Sequence, residues 1–97
     1  MINVTFSGQA LRDLDRILRW LRAERGERAA ASLVASVERF GQLIAEHPAA
    51  GRITRRPDIR VLALPRAPYQ VFYKQIGDRE LRIMHLRHAA RRPLGWL

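Results

Sequence analysis

Near its midpoint the chain changes the interval at which apolar residues recur. From Ala10 to Ile44 the interval is helical: Leu11, Leu14, Ile17, Leu18 and Leu21 form one stripe. Ala30, Leu33, Val34, Val37, Phe40 and Ile44 form a second. Beyond Pro48 the runs Ile59 to Leu64, Tyr69 to Gln75 and Glu80 to Leu86 read as strands. A helix and a strand present alternate side chains at different angles, so each spacing buries one face in only one of the two conformations. The chain must therefore fold as helices followed by strands.

Punctuation residues set the boundaries. Ile2, Val4 and Phe6 alternate with polar residues, which predicts a short strand before the first helix. Ser7 follows as an N-cap, and Asp15 and Arg19 are spaced for an i,i+4 pair. Gly26 interrupts the helical pattern, and the second helix ends at His47-Pro48, because a residue before proline disfavours helical backbone. Pro48 to Asp58 reads as a loop. Ile76-Gly77-Asp78-Arg79 carries hairpin chemistry, and Pro65-Arg66-Ala67-Pro68 is a second tight connection. The predicted order is β-α-α-β-β-β. This is an α+β domain over residues 1–97, with an antiparallel sheet that includes the N-terminal strand and a helical hairpin packed on one face. The opposite face is then partly solvated, and function is expected there.

Other classes fall away on composition. The 97 residues suit one domain, and 47% apolar with 28% charged residues is a globular balance. With no cysteine there is no disulfide framework, thiolate nucleophile or cysteine-bound zinc. No apolar run approaches the roughly 20 residues of a membrane span, and no secretory signal opens the chain, so a soluble cytoplasmic protein is expected. The net charge of +9, from 18 basic and 9 acidic residues, calls for an acidic partner. All basic residues but Lys74 are arginine, which suits paired bonds to phosphate or carboxylate and follows equally from GC-rich codons.

The candidate chemistry is limited. His85 and His88 lie three apart on a strand and point to opposite faces, so no metal and no cofactor is expected. Tyr69, Tyr73, His85 and His88 with nearby arginines could cut RNA by acid–base catalysis, but Tyr69, Val71 and Tyr73 share one side of their strand and read first as a core-facing stripe with a hydroxyl at the rim. Arg12, Arg16, Arg19 and Arg22 read as a solvated helix face. Arg52, Arg55, Arg56, Arg66, Arg87, Arg91 and Arg92 sit in loops and at the last strand, where binding residues concentrate. Trp96, near the chain end, covers the core or anchors a partner.

Four stretches in sequence, ALRDLDRI (Ala10 to Ile17), LIAEHPAAGR (Leu43 to Arg52), LPRAPYQVFYK (Leu64 to Lys74) and LRIMHLRHAARRP (Leu81 to Pro93), resemble the ParE/RelE superfamily of type II toxins. The resemblance implies a toxin neutralised by an acidic antitoxin that wraps its surface. ParE-like members block DNA gyrase, whereas RelE-like members cleave mRNA on the ribosome without metal. In RelE-like ribonucleases an arginine follows the tyrosine that opens the central strand; here Gln70 follows Tyr69. Trp96 stands in place of a terminal tyrosine and has no dissociable hydroxyl. The spacing of His88 and Arg91 resembles the ParE-like branch, although His85 stands where many of its members have arginine. The resemblance thus implies a gyrase-binding toxin with no catalytic residue of its own. Arg60, Arg66, Tyr69, Arg87, His88, Arg91, Arg92 and Trp96 are its candidate contacts to target or antitoxin. On the alternative ribonuclease reading, Tyr73, His88 and Arg91 would be the catalytic set, with the ribosome and mRNA as partners.

Overall fold

Each boundary has a local cause in the structure, a computed structural model that describes residues 2–90. The elements are β1 (Asn3–Phe6), α1 (Gly8–Arg25), α2 (Glu27–Glu46), β2 (Arg52–Ile53), β3 (Ile59–Ala63), β4 (Tyr69–Ile76) and β5 (Glu80–His88). Ser7 caps α1 as expected: its Oγ accepts from the Ala10 N–H at 3.0 Å. Gly26 ends α1 and opens α2 at φ 88°, a backbone that L side chains rarely adopt. Gly77, at φ 66°, forms the β4–β5 turn. Asp15 and Arg19 pair across one turn of α1.

The five strands order as β1-β5-β4-β3-β2 in one sheet. Two expectations need correction here. The sheet is mixed, because β1 runs parallel to β5 in register Asn3↔Glu80 to Phe6↔Ile83. Strands β3, β4 and β5 are joined by tight turns and must alternate in direction, while a strand joined through helices is free to lie parallel. The segment expected as loop also supplies β2, two residues pairing antiparallel with β3.

The helical hairpin covers one sheet face. Leu33, Phe40 and Ile44 of α2 and Leu21 of α1 meet Val71, Tyr73, Ile83 and Leu86 of the sheet. Leu11, expected in the α1 stripe, is instead 53% exposed. It lies about 100° around the helix from Ala10, at the margin of the covered face. On the opposite face Ile59, Val61 and Phe72 form a small buried cluster, so this face is only partly solvated.

The loop after α2 is tied to the core by one phenol. Tyr73 Oη donates to the Pro48 carbonyl and accepts from the Gly51 N–H, both at 2.9 Å. Its ring meets Phe40 edge to face. A Cβ at Gly51 would lie 2.9 Å from the Tyr73 ring and 3.0 Å from the Val61 carbonyl, so glycine is required by close approach.

Candidate functional site

The last strand changes phase in its middle. Tyr73 pairs with Ile83 and Phe72 with His85, leaving Met84 as an extra residue on β5. Such a bulge bends the strand and reverses which residues face each side beyond it. Leu86 and His88 therefore share the helix side with Val71 and Tyr69, while His85 and Arg87 share the other side with Phe72 and Gln70. Strand β1 ends beside Ile83, and among the described residues no strand pairs with the outer edge of β5 from Met84 onward.

Ser7 and helix α1 supply polar groups to β5 beyond the end of β1. Ser7 N–H donates to the Ile83 carbonyl at 2.9 Å, and Ser7 Oγ donates to the Met84 carbonyl at 3.0 Å. Asp13 Oδ2 accepts from the Leu86 N–H at 3.2 Å. Its other oxygen accepts from Gln9 Nε2 at 2.8 Å and from Arg16 Nη2 at 3.2 Å. At 3% exposure, this carboxylate is a buried charge made tolerable by three donors. His85 Nδ1 stands 3.7 Å from Oδ2, close enough for ion pairing when the ring is protonated.

Further along, helix and strand flank a groove of ≈ 590 Å³. Gln9, Asp13, Arg16, Ile17 and Trp20 form its helical wall, and Tyr69 with His85, Leu86, Arg87 and His88 forms its sheet wall. Trp20 is 51% exposed, so the groove offers a large apolar surface beside an exposed Arg16 guanidinium. His88 packs edge to face on Tyr69, and its Nδ1 accepts from the Ala90 N–H at 3.0 Å. In the neutral ring the proton is then on Nε2. The opposite-face reading of the two histidines agrees with their pairing to Phe72 and Tyr69, yet both line the groove because it wraps the strand edge. Among the described residues no group of three His, Asp or Glu side chains is arranged to hold a metal ion. No helix of the described residues is long and apolar enough to cross a membrane.

The sequence-predicted contacts divide three ways. Tyr69, Arg87 and His88 come together in the groove. Arg60 lies elsewhere: its Nη1 donates to the Gly51 carbonyl at 2.8 Å and helps to fix the loop after α2. Arg66 sits exposed in the β3–β4 turn at φ 60°, which costs a non-glycine residue about 1 kcal/mol or more. Arg91, Arg92 and Trp96 lie outside the described residues. Tyr73 and His88 are not brought together. They sit four residues apart along β4, about 13 Å, and the Tyr73 hydroxyl already serves two backbone groups.

Sequence reasoning missed the helical wall. Gln9, Asp13, Arg16 and Trp20 recur at i, i+4, i+7 and i+11, which is a helical stripe in its own right. Its signal was Trp20, a large apolar residue set off from the leucine stripe and in line with a lone aspartate.

This architecture has solved counterparts. The chain is similar to a structure titled the chromosomal ParDE toxin–antitoxin system from P. aeruginosa, with TM-score 0.77 and 23% identity over 91% of this chain and 96% of that one. It is also similar to the intact E. coli RelBE toxin–antitoxin complex, with TM-score 0.60 and 17% identity over 94% and 100% of the two chains. The RelBE2 complex from Mycobacterium tuberculosis gives TM-score 0.59 and 23% identity, covering 90% of this chain and 96% of that one. No curated protein matches the chain in sequence. At such identities these likenesses speak for the fold. The family is identified by the sequence itself, since residues 4–93 match the ParE toxin of type II toxin-antitoxin systems, parDE, and the chain belongs to that family.

Proposed function

We propose that this toxin acts by binding DNA gyrase, without bond-making chemistry, and that an acidic cognate antitoxin neutralises it by occupying the α1–β5 groove. The observation that carries the first part is the engagement of Tyr73. A general acid or base must reach its proton at hydrogen-bond distance, and this phenol is turned into the core with both bonding directions in use. The alternative catalytic set of Tyr73, His88 and Arg91 thus lacks a converging geometry among its described members. The second part rests on the groove: exposed Trp20, buried Tyr69 and the Arg16 guanidinium offer apolar anchors with a cationic rim, on a chain of net charge +9. Relatives of this fold are solved as toxin–antitoxin complexes, which supports a partner of that kind.

The test is a pair of assays on the purified toxin. Inhibition of gyrase supercoiling with ribosome-bound mRNA left intact is the expected result. Codon-dependent mRNA cleavage with normal supercoiling would replace the binding reading by a metal-independent ribonuclease, for which His85 beside Asp13 in the groove would be the acid–base pair to examine first.

A further inference from the structure

Three described residues adopt a backbone with positive φ, and two of them are glycine: Gly26 at 88° and Gly77 at 66°. The third is Arg66, at 60° in the β3–β4 turn. Glycine has no Cβ and enters this region freely, whereas an arginine there is strained. Base composition does not account for the choice, because glycine codons are as GC-rich as those of arginine. The fold does not account for it either. Arg66 is exposed, and its guanidinium, unlike that of Arg60, is tied to no described residue.

The turn is fixed on every side, so the strain is held in place. Leu64 N–H donates to the Tyr69 carbonyl at 2.9 Å and closes the base of the turn. Pro65 has a ring-locked φ, and Pro68 disfavours helical backbone at Ala67. The Pro65 carbonyl belongs to the peptide plane whose tilt sets φ of Arg66. It accepts from Ser36 Oγ at 3.3 Å, and Ser36 is buried on α2. Beyond the turn, the Pro68 carbonyl accepts from the Ala89 N–H at 2.7 Å. Strain that the surroundings over-determine in this way points to a role for the side chain.

The neighbours of Arg66 indicate the kind of partner. Pro65 and Pro68 are exposed and Ala67 is half-buried, which gives the arginine an apolar collar. Arg39 of α2 donates to Ser36 Oγ at 3.4 Å and brings a second guanidinium to the same turn. Arginine set in apolar surface is the composition of a protein–protein contact. A duplex-binding surface needs instead a row of cations along the phosphates. We infer that Arg66 contacts the target: the rigid turn presents its guanidinium to a carboxylate on the surface of gyrase. The inference rests on the gyrase reading above and adds the residue and the chemistry of the contact. Arginine makes paired hydrogen bonds to a carboxylate, and a tip that is already fixed loses little freedom on binding. None of residues 65–68 lines the α1–β5 groove, although Tyr69, which ends the turn, does. A target reaching both would be displaced by an antitoxin that fills the groove alone.

Arg66→Gly separates the contact from the fold, because it suits the same backbone and removes only the guanidinium. The strain it relieves outweighs the freedom that glycine adds to the unfolded chain, so the variant should melt no lower than the unmutated toxin. Half-inhibition of supercoiling should nevertheless require about tenfold more protein, the effect of one lost charge-assisted contact. The same loss should appear in binding to gyrase without DNA. Unchanged inhibition by Arg66→Gly overturns the contact. A variant that melts lower and loses inhibition in step overturns it too, since Arg66 would then serve the fold. A loss seen only with DNA present assigns the guanidinium to phosphate and overturns the carboxylate. If the unmutated toxin does not inhibit gyrase, the target reading fails before any variant is compared, and this contact falls with it.

Discussion

Tyr73 and Gly51 show how a single contact can settle a residue's role. Sequence favours the core over catalysis for this tyrosine, and both bonds of its hydroxyl go to the loop after α2. Tyr73→Phe keeps the ring and leaves the Gly51 N–H and Pro48 C=O without their partner. It should lower unfolding free energy by about 1–3 kcal/mol in a denaturant titration, with gyrase inhibition retained once the protein is folded. Gly51→Ala should be worse than a surface substitution, because its Cβ would meet the Val61 backbone as well as the Tyr73 ring. If Tyr73→Phe folds with full stability yet is inactive, the phenol acts outside the core and the ribonuclease reading gains. Asp13 is the converse case. It looks like one more charge on a solvated helix and proves to be the buried link between α1 and β5.

At the level of elements, the join between β1 and β5 carries a titratable group. Thr5 Oγ1 donates to Glu80 at 2.7 Å and Arg82 adds Nη2 at 2.9 Å. The Thr5 hydrogen bond first, then those from Arg82, hold the Glu80 carboxyl below the usual glutamate range, against a smaller desolvation effect. A carboxyl depressed in the folded state binds its proton less readily than in the unfolded chain. Its contribution is complete above the unfolded value, about 4.3, and is lost as pH falls through the lower folded value. Melting temperature should therefore decline in that acid window, and Glu80→Gln should flatten that part of the profile while leaving the rest unchanged. An unaltered acid limb in Glu80→Gln would show that the β1–β5 join is insensitive to this charge.

For the whole molecule, the excess of nine positive charges acts over distances beyond any single contact. Rim charges steer encounter, whereas apolar contacts govern how long a complex lasts, and the exposed Trp20 is the proposed anchor. The association rate with the proposed acidic antitoxin should fall steeply between low and high salt as the Debye length shortens, with dissociation nearly constant. A rate that is flat in salt would separate the net charge from recognition. Changing Arg91 and Arg92 together to Ala probes the same field at the chain end. Stability should stay within about 0.5 kcal/mol per site while toxicity falls.

What the sequence determined by itself is local. The two helices, the Ser7 cap, the Gly26 break and the β4–β5 turn at Gly77 follow from short-range spacing and from backbone conformations that few residues accept. The four family stretches were legible for the same reason, since each is a contiguous run; the need for Gly51 shows only when Tyr73, 22 residues away, is folded against it. Tertiary structure alone decided which strands are neighbours. The parallel place of β1, the pairing of β2 and the bulge at Met84 depend on contacts between segments distant in the chain. The candidate site belongs to this second class. Tyr69, Arg87 and His88 could be named from the strands, but the groove depends on β1 stopping at Phe6, β5 turning over at Met84, and α1 laying Asp13 and Trp20 alongside an edge that no described strand pairs with. Hydrophobic period reports which face of an element is buried; it does not report which element does the burying.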